Sequence, residues 1–199
     1  MTPLDFSNKS PAGAPEKRYS VVVAEVGFLK ARMILYESEI IHLSFDRIYH
    51  QQALAKLGKL FPKAQPAGLP AGIEHTRQLI RQLLSTVSEK TVADFETNPF
   101  LKNATSFQRR VWRHLCRLGP GETITYGELA AAAGSPGGAR AVGNACNRNP
   151  LALIIPCHRV VAANGLGGFA GDLRIKRKLL ELEKQAVQGI MPAWGKPAQ

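Results

Sequence analysis

An α+β protein is what this sequence predicts: a small amino-terminal sheet-plus-helix region, then a mainly helical region containing a helix-turn-helix. The first half opens with strand-length runs rich in Val, Ile, Phe and Tyr. The second half alternates Ser/Thr caps with short Ala- and Leu-rich helical stretches. Two of those stretches are separated only by a glycine-containing turn, the spacing of a helix-turn-helix.

Along the chain, residues 1–18 lack an apolar centre and read as a flexible lead-in, not a secretory signal. RYSVVVAEV (18–26), FLKARMILYES (28–38) and EIIHLSFDR (39–47) form a meander punctuated by Gly27 and the polar Glu37-Ser38-Glu39. KLFPKAQPAGLPAG (59–72) is a Pro/Gly-rich loop. A helix over 73–87 follows from the spacing of Ile73, Leu79, Ile80, Leu83, Leu84 and Val87, and TVADFETNPF (91–100) reads as a last strand. NPFLKNATS marks a boundary. The expected organisation is a tail (1–18), an α/β structural domain (19–100), a functional domain (104–187) and a carboxy-terminal tail (188–199).

In the functional half, Thr105 or Ser106 caps a helix with Phe107, Val111, Leu115 and Leu118 on one stripe. Arg109, Arg110, Arg113 and Arg117 share another side, as a solvated face or as phosphate contacts. Gly119-Pro120-Gly121 breaks this helix. Thr125 and Glu128 fit a capping box for a helix that ends at Gly134. Ser135 then caps a second helix with Pro136 at its first position. That helix, PGGARAVGNACN, is mostly small residues, from which Arg140 and Asn144 project four apart. Small side chains allow close backbone approach, and Arg140 is either a contact made there or half of a surface ion pair.

IIPCHRVV (154–161) is the chemically loaded segment. Leu151–Ile155 reads as a buried strand or extended run, and Pro156 fixes where Cys157 emerges from it. A thiol beside His158 and Arg159 in a basic half has reasons to ionise, and thiolate is the nucleophilic form. An inert packed cysteine is the competing reading. Neighbouring residues of an extended chain point to opposite faces, so His158 reaches Cys157 only through a bend or a water. Gly165, Gly167, Gly168 and Gly171 around Phe169 make a loop able to wrap a small pocket. Asp172 caps the last helix, where Glu183 shares a face with Leu179 and Leu180. A carboxylate on an apolar stripe needs a partner, and a histidine is a natural one.

Bulk properties narrow the function. No apolar run approaches the length of a membrane span. Cys116, Cys146 and Cys157 are an odd number without CxxC or zinc spacing, which suits free thiols in a reducing, cytoplasmic setting. Residues 1–99 carry 12 Lys and Arg against 10 Asp and Glu, whereas residues 100–199 carry 14 against 5. The basic half suits a polyanion such as nucleic acid, or simply a solubilising surface.

The order of these motifs is similar to that of the O6-alkylguanine-DNA alkyltransferases, the methylated-DNA–protein-cysteine methyltransferases. FQRRVW, ITYGELA, ARAVGNA, NRNP, IPCHRVV, GLGGFAG and LLELE carry the resemblance, which covers Phe107 to Glu183. It implies a winged-helix-like DNA-binding domain and a single-turnover transfer of an alkyl group from O6 of guanine, and from O4 of thymine, to Cys157. His158 and Glu183 would form a relay that reaches the thiol through water. Tyr126 would donate a proton to the leaving guanine, and Asn149 would brace the turn before the active-site segment. The second helix would enter the minor groove of double-stranded DNA with little sequence preference, Arg140 filling the space of the extruded base. Ala139, Gly143 and Asn144 would contact DNA beside it. Pro156, Val160, Gly168, Phe169 and Ala170 would line the guanine pocket, Phe169 and Ala170 standing where some members have a tyrosine and a hydroxyl residue. The resemblance implies a monomer with no cofactor, no membrane partner and, because amino-terminal cysteines are lacking, no metal. The alternative is a non-reactive alkyltransferase-like binder that flags alkylated bases. Such relatives replace the cysteine that is present here as Cys157.

Overall fold

The computed structural model describes residues 18–26, 29–36, 39–60, 65–66 and 95–189. The amino-terminal part is a four-stranded sheet of β1 (Arg18–Val26), β2 (Leu29–Tyr36), β3 (Glu39–Ser44) and β4 (Gln65–Pro66), in the order β3-β2-β1-β4. The first three strands form the expected antiparallel meander, with Val22 opposite Met33 and Met33 opposite Leu43; β4 joins β1 in parallel. The run Met33-Ile34-Leu35-Tyr36 is buried throughout, because both faces of the sheet are covered. Ile34, Tyr36 and Ile41 face α1 (Arg47–Leu60) and Phe100. Val22, Ala31, Met33, Leu35 and Leu43 face the other way, onto Ala152, Leu153 and Leu179 of the second half. The two halves therefore share one packed layer.

Sequence reasoning did not assign α1. Its signal is short: His50, Ala53 and Leu57, at steps of three and four, are its buried residues. The expected helix over 73–87 and most of the tails and the 59–72 loop lie outside the described residues. In the described part of 91–100 the expected strand is replaced by a turn at 95–97 and a short helix α2 (Pro99–Lys102). Asn98 explains the difference: its side chain accepts from the amides of Phe100 and Leu101, and Pro99 suits a first helical turn. Asn98 Nδ2 also donates to the carbonyl of Ile41, 3.2 Å away, so this corner ties the segment to β3.

The second half is the expected mainly helical region. It contains α3 (Ser106–Leu115), β5 (Ile124–Thr125), α4 (Tyr126–Ala132), α5 (Ala139–Asn147), β6 (Val160–Val161) and α6 (Leu173–Val187). Capping boxes at Thr105/Gln108 and Thr125/Glu128 start α3 and α4, and Asp172 caps α6. Helix α5 starts later than expected. Ser135 to Gly138 form a turn in which Gly137 has φ +79° and the Gly138 amide donates to the Ser135 carbonyl, so Gly138 and not Ser135 precedes the helix. A Cβ on Gly138 would lie 2.6 Å from Ser135 Oγ, which makes glycine obligatory at this turn.

Three arginines of α3 make contacts within the fold. Arg109 and Arg113 share Glu96, Arg113 covers the Phe95 ring, and Arg110 Nε donates to the carbonyl of Ala133 at the end of α4. Trp112 Nε1 donates to the Ala145 carbonyl and so fixes α3 against α5. No helix among the described residues is long and apolar enough to cross a membrane.

Under the sheet, His42 and His50 pack with ring centroids 5.5 Å apart, and none of their ring nitrogens has a hydrogen-bond partner. Burial, then repulsion from His50, pushes His42 down to about 3; burial and then Arg32 lower His50. The His42 imidazole stays neutral in the folded protein and that of His50 is harder to protonate than usual, while the unfolded chain takes up protons below about pH 6.5. Stability should be complete above that pH and decline below it, by about 1 kcal/mol per pH unit for His42. Urea unfolding between pH 7.5 and 5 checks this; His42→Leu should flatten the decline, and an equal slope in both proteins would reject it.

Candidate active site

The segment before the cysteine is not the expected strand. Leu151 and Ala152 bridge to Leu43 and Ile155, and the Ile155 amide returns to the carbonyl of Leu151 at 2.8 Å. The chain turns at Leu153, which adopts φ +71°, an uncommon conformation for a non-glycine residue. Burial of Ala152 and Leu153 against the sheet holds the bend in place. Pro156 then centres an inverse γ-turn, with φ −79° and ψ 64°, closed by the Cys157 amide on the Ile155 carbonyl at 2.8 Å. Cys157–Arg159 form a single 3₁₀ turn. Its residues radiate roughly a third of a turn apart, so thiol, imidazole and guanidinium face three different surroundings.

Cys157 is 8% exposed. Burial pushes its thiol above the ordinary range, while a hydrogen bond from the Asn149 amide and the charge of Lys176 pull it down. Asn149 also donates to the carbonyl of Ile155 (2.8 Å) and accepts from the amide of Leu151 (3.0 Å). One side chain thus braces both ends of the bend and reaches the sulfur.

His158 is 1% exposed and its Nε2 donates to Glu183 Oε1 over 2.6 Å. Glu183 also receives Arg159, whose Nε lies 3.1 Å from both carboxylate oxygens and whose Nη2 lies 2.9 Å from Oε1. The Gly121 amide donates to Oε2 at 3.0 Å, and Arg159 Nη1 donates to the carbonyl of Leu118. Burial alone would raise the Glu183 carboxyl, but these hydrogen bonds and charges outweigh it and bring it to about 2. Glu183 is therefore ionised, and Nε2–H of His158 is committed to it. Sequence reasoning found the His158–Glu183 pair but missed that Arg159 belongs to Glu183 and not to the thiol. It also read Gly119-Pro120-Gly121 only as a helix break, whereas Gly121, at φ +73°, supplies an amide to the carboxylate.

Tyr126 opens α4, and its hydroxyl donates to the carbonyl of Gly168 at 2.9 Å. Burial, with smaller contributions from the two nearby thiols, pushes the phenol up to about 12, so it stays protonated at neutral pH. Its ring fills the space between α5 and the pocket loop. A Cβ on Gly143 would be 3.9 Å from the ring and one on Gly167 only 2.8 Å, and Gly167 has φ +69°. The parallel pairing of β5 with β6, Thr125 opposite Val161, holds Tyr126 near the turn that carries Cys157. Of the expected pocket residues, Pro156 and Val160 are buried on either side of the Cys157–Arg159 turn, while Gly168, Phe169 and Ala170 belong to the loop whose Gly168 carbonyl binds Tyr126. The Phe169 ring turns toward Phe45 of the sheet half, with centroids 6.4 Å apart. On α5, Arg140 and Asn144 are exposed, and Ala139 and Gly143 lie half-buried along the helix.

Lys176 was not singled out from the sequence. Its signal was available: it precedes Glu183 by one heptad and shares the stripe of Leu179. Among the described residues no group of three or more His, Cys, Asp or Glu side chains could hold a metal.

A family model described as "6-O-methylguanine DNA methyltransferase, DNA binding domain" matches residues 106–185. The chain is 56% identical over 84 residues to a methylated-DNA–protein-cysteine methyltransferase of Mycobacterium leprae, covering 42% of this chain and 51% of that protein. It is 40% identical over 133 residues to the regulatory protein Ada of Salmonella typhimurium, across 66% of this chain and 36% of that protein. These alignments thus span about half or less of the curated relatives' length. A crystal structure of Mycobacterium tuberculosis OGT in complex with DNA superposes with a TM-score of 0.59 at 31% identity, covering 89% of this chain and 96% of that one. The sulfur-bearing turn is backed by a carboxylate–imidazole pair and packs with the helix-turn-helix of α4 and α5. The chain belongs to the O6-alkylguanine-DNA alkyltransferase family.

Replacing Glu183 by Gln keeps the shape but leaves a guanidinium buried without its counter-charge, which typically costs about 3–5 kcal/mol. Glu183→Gln should therefore lower the urea midpoint as well as slow any chemistry at Cys157. An unchanged midpoint would mean that the Arg159–Glu183 pair does not hold this core.

Proposed function

We propose that the protein repairs DNA by moving a methyl or larger alkyl group from O6 of guanine, and from O4 of thymine, onto Cys157. The single observation that carries this reading is Cys157 at the apex of a fixed turn, with His158 bound to an ionised Glu183 directly behind it. The thiol proton passes through a water to Nδ1 of His158, and Glu183 stabilises the imidazolium that results. The thiolate attacks the alkyl carbon in line with the C–O6 bond. A carbon–sulfur bond forms as that bond breaks, and the electron pair stays on the guanine. Tyr126, protonated at neutral pH, releases its hydrogen bond to Gly168 and donates its proton to the leaving base. The product is a thioether, which no group in the site can cleave, so each molecule acts once without a cofactor.

O6 is out of reach inside a stacked duplex, so the nucleotide must be extruded, at a cost of about a few kcal/mol. Helix α5 presents the surface for this. Ala139 and Gly143 allow close approach in a minor groove about 6 Å wide, Asn144 would contact the DNA beside them, and exposed Arg140 would occupy the vacated stack. Pro156, Val160 and the Gly168-Phe169-Ala170 loop would receive the base, with Asn149 keeping the turn in place. Residues 104–187 would act as the transfer domain and 19–100 as its structural support, in a monomer on double-stranded DNA. The presence of Cys157 favours transfer over mere flagging of lesions.

Incubation with an O6-methylguanine duplex should add one methyl group, about 14 Da (a hydrogen replaced by CH₃), to the peptide containing Cys157. Unmodified protein that still binds the duplex would reject transfer in favour of the flagging role. Arg140→Ala should slow repair of the duplex by about 10- to 100-fold, the effect of losing a few kcal/mol of flipping assistance. Reaction with free O6-benzylguanine should hardly change. Equal losses on both substrates would remove Arg140 from base extrusion.

A further inference from the structure

Lys176 is fully buried on α6, at 0% exposure. Its Nζ donates to the carbonyls of Val160 and Leu166, each at 2.6 Å, and of Gly168 at 2.9 Å. Three acceptors require three protons, which the ammonium has and the neutral amine lacks. The cradle therefore selects the charged form, although none of these partners carries a negative charge. A buried ammonium without a counter-ion is unfavourable. Burial lowers the Lys176 pKa, and the two groups that act in the opposite direction are Cys157 and Cys146. Cys146, on α5, is pushed well above the ordinary thiol range, mainly by burial, and stays neutral. Tyr126, on α4, stays neutral as well, with its ring centroid 5.9 Å from Nζ. Arg159 and Glu183 neutralise each other, and His158 is turned to Glu183. Of the two thiols, Cys157 acts on Lys176 more strongly, and the Asn149 hydrogen bond and the Lys176 charge draw it down against the burial that raises it.

The same three carbonyls border the candidate base pocket. Val160 directly follows the sulfur-bearing turn and its amide donates to the carbonyl of Cys157. The Gly168 carbonyl accepts from Tyr126 as well as from Lys176. We propose that Lys176 is a positioning residue for the transfer, holding the pocket loop to the sulfur-bearing turn and supplying the counter-charge for the Cys157 thiolate. This role rests on the transfer reading, because it assigns a function to ionised Cys157.

Iodoacetamide reacts with a thiolate and needs neither DNA nor a flipped base, so it isolates the charge effect. In Lys176→Met, the pH of half-maximal carboxamidomethylation of Cys157 should rise by about one unit, a roughly tenfold slower reaction at neutral pH. Lys176→Arg, which keeps the charge, should lie closer to the parent protein. A folded Lys176→Met protein whose pH profile superimposes on that of the parent overturns the proposal. A second measurement requires no substitution and covers the case in which that variant does not fold. ¹⁵N NMR of Lys176 Nζ in the intact chain should show its titration midpoint fall by about one unit once Cys157 becomes an uncharged thioether. An unmoved midpoint also overturns the proposal. Neither readout depends on methyl transfer from DNA, so failure of the mass experiment and failure of the Lys176 role remain distinguishable.

Discussion

The Glu183 carboxylate is the point on which the rest of the site depends. It lies in the core of the second half, where burial opposes its charge, and it is kept ionised only by what converges on it. His158 reaches it from the 3₁₀ turn, Arg159 from the same turn, and Gly121 from the loop after α3. An ion pair of this kind adds little net stability compared with an apolar core, because desolvation offsets most of the attraction. What it does provide is position. Two consecutive residues of one short turn are pinned to one helix, which leaves their predecessor, Cys157, a single direction in which to point.

Around that anchor, the shape of the site is set by close approach. Tyr126 can lie between α5 and the pocket loop because Gly167 presents no side chain toward its ring, while Gly143 leaves open contact distance on the α5 side. Lys176 closes the arrangement from below by collecting three loop carbonyls. The glycines make the space and the lysine fixes the loop that borders it, so a flexible composition becomes a defined wall. The sheet half contributes as well. Its inner face packs on Ala152 and Leu153, the residues that force the bend before Pro156. Support of the active turn is thus shared between the halves.

The helix-turn-helix was readable because its signals are local. Thr125/Glu128 capping, the break at Gly134 and the small-residue helix need only neighbours along the chain. The start of α5 was placed too early because Ser135-Pro136 also suits a turn, and only the crowding of Gly138 against Ser135 decides between them. The expected strand at 91–100 failed similarly in its described part: Asn98 bonds the next amides and reaches β3, a partner distant in sequence. Helix α1 went unread because its buried face is only three residues wide.

By itself the sequence determined the strand meander, most helix caps, the basic second half and, through the order of its motifs, the pairing of His158 with Glu183. These follow from short-range periodicity, from capping chemistry and from an order of motifs that a chain carries in one dimension. Only the tertiary structure decided that Arg159 neutralises Glu183, that Gly121 lends it an amide, that Asn149 reaches the sulfur, and that Lys176 gathers three carbonyls beneath the pocket loop. Each of these is a contact between segments far apart along the chain. Charge and hydrogen-bonding capacity are visible in a residue's type, but which partner they meet is fixed only when the backbone brings the two together.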